Sequence, residues 1–132
     1  MYAFNSRLRQ DVHSLDEGQA IKFTADLNVG KVYSNGTGTF IAPMDGLYSF
    51  SFSVASRNPG TPLSVHLKIN DIDTVGAITD QAAPSKYSQG SNHAVVKMMA
   101  QDTAQVVITD YPAKDIVAEG FTSFSGFLLS KH

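Results

Sequence analysis

The chain has 132 residues, 42% hydrophobic and 17% charged, with a net charge of −2. That suits one domain of ordinary size, large enough to bury a core without disulfide or metal staples. The charge gives no reason to expect nucleic acid or an anionic membrane as partner, no apolar run approaches the ~20 residues of a membrane-spanning helix, and the lack of Cys excludes disulfides, thiolate metal ligands and a Cys nucleophile.

Taken in chain order, the elements are strands. The first is "AFNSRL" (3–8), and "QAIKF" (19–23) follows a polar stretch. "NVGKVYSNGTGTF" (28–40) is rich in turn residues, with Asn35-Gly36 and Thr37-Gly38 tolerating positive φ. "TFIAP" leads through Asp45-Gly46, a tight-turn pair, to "GLYSFSFSV" (46–54). There Tyr48, Phe50, Phe52 and Val54 fall on one face, and Leu47, Ser49, Ser51 and Ser53 on the other. "LSVHLKIN" (63–70) turns Leu63, Val65, Leu67 and Ile69 inward and Ser64, His66, Lys68 and Asn70 outward.

"DIDTVGAI" (71–78) is a shorter strand, and "TDQAAPSKYSQGSN" (79–92) reads as a long loop. "HAVVKMMA" and "QVVITDY" are strands joined by a tight turn at Asp102, "PAKDIVAEG" is a loop, and "FTSFSGFLLS" (121–130) is the last strand. Many short strands with turn signals between them predict an all-β sandwich or barrel in a single domain spanning 1–132. The last strand is apolar on both faces: Phe121, Phe127 and Leu129 against Phe124 and Leu128, with Gly126 between. Antiparallel sheets usually keep one face wet. A second apolar face, beside a stripe of small serines, points to another subunit packed on that sheet, with Gly126 admitting a close neighbour.

"GTGTFIAPMDGLYSFSFSV" and "FTSFSGFLLS" resemble the globular head domain of the C1q family, within the tumour-necrosis-factor-like jelly rolls. The resemblance covers about Ala3 to Leu129. The family's spaced signature matches at Asn28, Tyr33, Phe40, Gly46, Tyr48, Phe50 and Phe52, and its closing strand at Ser123 to Leu128. Two departures concern local loop shape. Phe23 to Asn28 is one residue shorter than usual, and only Asp102 remains of the family's Gly-Asp turn. The resemblance implies a ten-stranded jelly-roll sandwich assembling as a homotrimer, the serine face turned to the threefold axis. It also implies a secreted, extracellular protein. This sequence contains no Gly-X-Y run, and "MYAFNSRLRQ" lacks a signal-peptide pattern, so a cytosolic chain and one with its signal removed both remain open.

No catalytic constellation is visible. His13, His66, His93 and His132 fall in no metal-pair spacing, there is no G-x-S-x-G elbow, and "NGTGTF" lacks the Walker Lys. The expectation is a binding protein rather than an enzyme. Asn35-Gly36-Thr37 is an N-glycosylation triplet, relevant in a glycosylating secretory pathway. Calcium is the one cofactor that the resemblance suggests. Asp80-Gln81 is similar to a stretch of calcium-binding members, and Asp73 and Asp80 flank a short strand. Ca²⁺ needs six to eight oxygens, which three chains around an axis can pool.

Ligand contacts belong on loops, because the strands are committed to core and trimer. Three loops carry suitable groups: Arg57 and Asn58; Lys86, Tyr87 and Asn92; and Tyr111, Lys114 and Asp115. Arg or Lys pairs with a carboxylate such as that of sialic acid, and Tyr packs on a sugar's apolar face. The first reading is a secreted trimeric lectin for glycans or microbial surface polymers, as in stalkless innate-defence relatives. The alternatives are a trimeric ligand for a protein receptor and a structural matrix component.

Overall fold

The computed structural model describes residues 1–57, 63–79, 87–109 and 114–132. The alternation of Gly46–Arg57 becomes a strand, β6, whose Tyr48, Phe50, Phe52 and Val54 are buried. Around it stand β1 (Ala3–Arg7), β3 (Thr24–Val29), β9 (Tyr87–Met98) and β12 (Ser123–Lys131), in the order β3-β1-β12-β6-β9. A second sheet, packed behind, runs β4-β5-β10-β7-β8. It comprises Tyr33–Ser34, Thr39–Ile41, Thr103–Ile108, Ser64–Ile69 and Ile72–Ile78. A two-stranded ribbon of β2 (Val12–Leu15) and β11 (Lys114–Ile116) completes the described elements. Two five-stranded antiparallel sheets around one core make the expected ten-stranded jelly-roll sandwich.

Aromatic rings join the two sheets. Phe4 of β1 stacks on Tyr33 of β4 with centroids 4.9 Å apart and meets Phe124 of β12 edge-on at 5.0 Å. Phe40 of β5 meets Phe50 and Tyr48 of β6 edge-on at 5.1 and 5.4 Å. Such pairs add about 0.5–1.5 kcal/mol each beyond area burial. Gly126 makes this packing fit: a Cβ there would lie 2.5 Å from the Phe50 ring and 3.0 Å from Phe4. The close neighbour that Gly126 admits is therefore the chain's own core, not another subunit.

The signature polar residues have a structural cause. Asn28 accepts hydrogen bonds from the Val32 and Tyr33 N–H groups at 2.9 and 3.1 Å, and its amide donates to the Tyr33 carbonyl at 2.8 Å. This closes the turn between β3 and β4. The Tyr33 hydroxyl then accepts from the Phe23 N–H at 3.0 Å and donates to the Phe23 carbonyl at 3.2 Å. The trimmed spacing from Phe23 to Asn28 coincides with a bulge in β3 opposite Asn5 and Ser6 and leaves these bonds intact.

Three expectations shift. "QAIKF" is not a regular strand. It runs beside β10 past the end of β5, with one bridge at Ala20–Val107 and bonds from Ile21 N to Val106 O and from Ile108 N to Gln19 O. β9 starts at Tyr87, so the second half of the expected long loop is strand. Its polar run hides this: Gly90 passes so close to β8 that a Cβ would sit 2.4 Å from the Ile78 carbonyl. His66 is half-buried rather than freely solvated. It lies over Gly76 and bonds Thr109 at 3.1 Å.

The front sheet's outward face is apolar at one end. The register aligns Val29, Ala3, Phe127, Ser49 and Val95 across its five strands, and Val29, Phe127 and Val95 are 38%, 42% and 51% exposed. Leu27 and Leu129 extend the patch. At the other end the same face carries Ser51, Ser53, Ser91, His93, Ser123 and Ser125, which line a groove of ≈ 450 Å³.

Burial pushes the Tyr33 hydroxyl up to about 12 from an ordinary 10.0, its bond to Phe23 acting the other way. A raised pKa contributes stability that is present below the unfolded value and lost as pH rises through the folded one. Urea unfolding between pH 8 and 12 will therefore show stability falling from about pH 10 upward. Tyr33→Phe will reduce that slope, with Tyr48, also raised by burial, keeping part of it. At neutral pH the variant will lose about 1–3 kcal/mol, because it strips the Phe23 backbone groups of their buried partner.

Candidate functional site

The described residues that flank 58–62, 80–86 and 110–113 all lie at one end of the sandwich. Arg57, the last residue of β6, pairs with Tyr87, the first of β9. The Thr79 N–H donates to the Leu63 carbonyl and the Thr109 N–H to the Ser64 carbonyl, at 2.9 and 3.0 Å. β11 is tied to the same end by the Val117 N–H, which donates to the Ala55 carbonyl at 2.9 Å.

Buried hydroxyls hold this end together. Thr79, 3% exposed, accepts from the Leu63 N–H at 2.8 Å and from the Ser56 hydroxyl at 2.9 Å, linking the ends of β6, β7 and β8. Thr122, fully buried, donates to the Val117 carbonyl at 2.6 Å and accepts from the Ala55 N–H at 3.1 Å. Ser64 and His66 both reach the Thr109 hydroxyl at 3.1 Å. Short hydroxyl side chains suit this task, since they satisfy backbone groups where strands end and ladder partners run out.

On this end sits a cleft of ≈ 200 Å³ lined by Ala55, Tyr87, Ser88, Gln89 and Phe121. The Tyr87 and Phe121 rings stand 6.1 Å apart at 45°. Phe121 is 41% exposed, high for so large an apolar ring. It is presented by a turn whose Glu119 and Gly120 both take left-handed φ, 51° and 80°, closed by the Phe121 N–H donating to the Ala118 carbonyl at 2.9 Å. The Phe121 carbonyl accepts from Gln89 at 2.9 Å and Ser53 at 3.1 Å. An exposed ring pair beside an amide and a hydroxyl can take a ligand with an apolar face and a hydroxylated edge.

The predicted site residues divide. Tyr87 lies in the cleft, and Arg57 is its cross-strand partner. Asn92 is on a strand rather than a loop, and its amide donates to the Gly76 carbonyl at 2.8 Å, tying β9 to β8. Lys114 and Asp115 are on β11, where Asp115 faces His13 at 3.4 Å. Asn58, Lys86, Tyr111 and Asp80 lie outside the described residues. Asp73 sits within β8 and pairs with Lys68 at 3.5 Å. Among the described residues no group of three or more His, Asp or Glu is placed to hold a metal.

Phe121 was missed as a binding residue. Its periodicity assigns it to the outer face of the last strand, yet β12 begins only at Ser123. The Glu119-Gly120 pair just before it is the signal that marks it as a turn residue.

Comparison with known proteins agrees with this architecture. The sequence profile of the C1q domain family matches residues 3–129. The chain is 30% identical over 118 residues to mouse complement C1q tumor necrosis factor-related protein 3, covering 89% of this chain and 47% of that protein. It thus spans about half the length of that relative. Among solved structures, the globular domain of zebrafish complement 1qA superposes with a TM-score of 0.82 at 19% identity, covering 100% of both chains. The Eiger TNF of S. frugiperda superposes at 0.80 with 11% identity, covering 99% of this chain and 94% of the other.

The hydroxyl ties make a prediction for the end that carries the cleft. Thr79→Val preserves shape but orphans the Leu63 N–H, and will cost about 1–3 kcal/mol in urea unfolding. Ser56→Ala will cost less, since Thr79 still satisfies Leu63.

Proposed function

The chain belongs to the C1q domain family, and on that premise we propose that it is an extracellular homotrimer that binds glycans or microbial surface polymers through its loop-bearing end. The Tyr87–Phe121 cleft carries this reading. Two partly exposed rings offer a platform for the apolar face of a pyranose, and Gln89 and Ser88 supply polar partners for its hydroxyls. Arg57, the ladder partner of Tyr87, is of a residue type suited to a sugar carboxylate. The exposed apolar patch on the front sheet supports the trimer, since a face with Phe127, Val95 and Leu129 uncovered is stabilised by burial against copies of itself. Three copies turn a weak site into an avid one on a repetitive target. Binding of this kind needs no catalytic group.

A glycan array probed with the purified protein, in calcium and again in chelator, tests this. The expected result is signal on one sugar class that soluble sugar competes away. Tyr87→Ala and Phe121→Ala will each weaken a single site roughly 2–10-fold, the range expected for an aromatic contact, and the array signal by more. Loss on chelation alone would support a calcium site shared between chains. A blank array in both conditions would overturn the lectin reading in favour of a protein partner.

A further inference from the structure

The glycosylation triplet at Asn35-Gly36-Thr37 is the single one in the sequence, and neither the core nor the cleft uses it. It occupies the turn joining β4 to β5, and all three residues are exposed. Asn35 is held in an informative way. The Ala25 N–H donates to its Oδ1 at 2.9 Å, while its Nδ2 has no partner among the described residues. Because the donor is a backbone N–H, the amide orientation is settled: oxygen inward on β3, nitrogen free. Space is open as well, since a Cβ added at Gly36 would meet only the Ser34 hydroxyl, at 3.9 Å.

We propose that Asn35 is an N-linked glycosylation site, the glycan leaving the free Nδ2 over the flank where β3 and β4 end their sheets. This rests on the extracellular reading, because the modification needs a secretory pathway that carries it out. The donor is a lipid pyrophosphate-linked oligosaccharide. A bond forms between the sugar's anomeric carbon and Nδ2, the anomeric carbon–phosphate oxygen bond breaks, Nδ2 gives up one proton, and the lipid pyrophosphate leaves. Oδ1 takes no part, so the bond from Ala25 survives in the product and fixes where the glycan points.

The site is compatible with everything else on the molecule. β3 and β9 are opposite end strands of the front sheet, about 19 Å apart at four inter-strand spacings, so a glycan beside β3 leaves the Tyr87–Phe121 cleft clear. Beside β3 it has a physical use. End strands invite edge-to-edge pairing with other chains through their free backbone groups. A hydrated, branched chain anchored one residue's reach away obstructs such pairing.

The test is expression of the full chain behind a signal sequence in eukaryotic cells, with cells and medium both collected. The wild type is compared with Thr37→Ala, which destroys the triplet but keeps the Asn35–Ala25 bond, and with Asn35→Gln. The readouts are a mobility shift on treatment with peptide-N-glycosidase and mass spectrometry of the peptide containing residue 35. The expected result is a glycan on the wild type in either fraction and none on either variant, with Thr37→Ala still folded. An unmodified wild type in the medium would overturn this proposal alone. A modified chain that never leaves the cell would support the site and count against the extracellular reading. A glycan persisting on Thr37→Ala would overturn the assignment to Asn35.

Discussion

β12 has to find cover for both of its faces, and most of the architecture answers to that. Inward, Phe124, Gly126 and Leu128 pack against the aromatic cluster, with Gly126 bare so that Phe50 and Phe4 can close over it. Outward, Phe127 and Leu129 stand 42% and 53% exposed in the middle of the front sheet. The inner demand is met within the chain. In the proposed trimer the outer one is met by a second and third copy, a need that would separate this sandwich from one that works alone.

The outward face then divides by composition. Val29, Phe127 and Val95 form an apolar band at one end, while the serines of β6, β9 and β12 form a hydroxyl-lined groove at the other. Small hydroxyls let surfaces approach without the full cost of stripping water from larger polar groups. They also leave room for water where packing is looser. With the core and the apolar end of the outward face committed, the loop-bearing end, where Tyr87, Gln89 and Phe121 continue that same face, is what remains for recognition. The end built on Thr79, Thr109 and Thr122 is cross-tied by hydroxyls that hold strand termini in place without consuming the surface above them.

Much of this was legible in the residues. The alternation in β6 and β7 located the core, and the two-faced last strand announced a second apolar surface. What escaped had physical reasons. β2 and β11 are short and pair only with each other, so neither shows a periodic apolar face. The start of β9 is polar because one of its faces lines the groove and its Gly90 must slide under β8. The cleft was half visible: Tyr87 stood out as an aromatic in a polar run, but Phe121 looked like part of a strand. The close neighbour of Gly126 could not be named, because a glycine opposite serines and a glycine opposite phenylalanines look alike until register is known.

The measurement that bears most directly on this account is sedimentation equilibrium of the purified chain beside Phe127→Lys, which places a charge in the apolar band without entering the core. The account predicts a wild type at three times its 14.2 kDa chain mass, and a variant that falls to monomer with its β-sheet circular dichroism unchanged. A wild type that is monomeric at micromolar concentration, or a variant that stays trimeric, would contradict it.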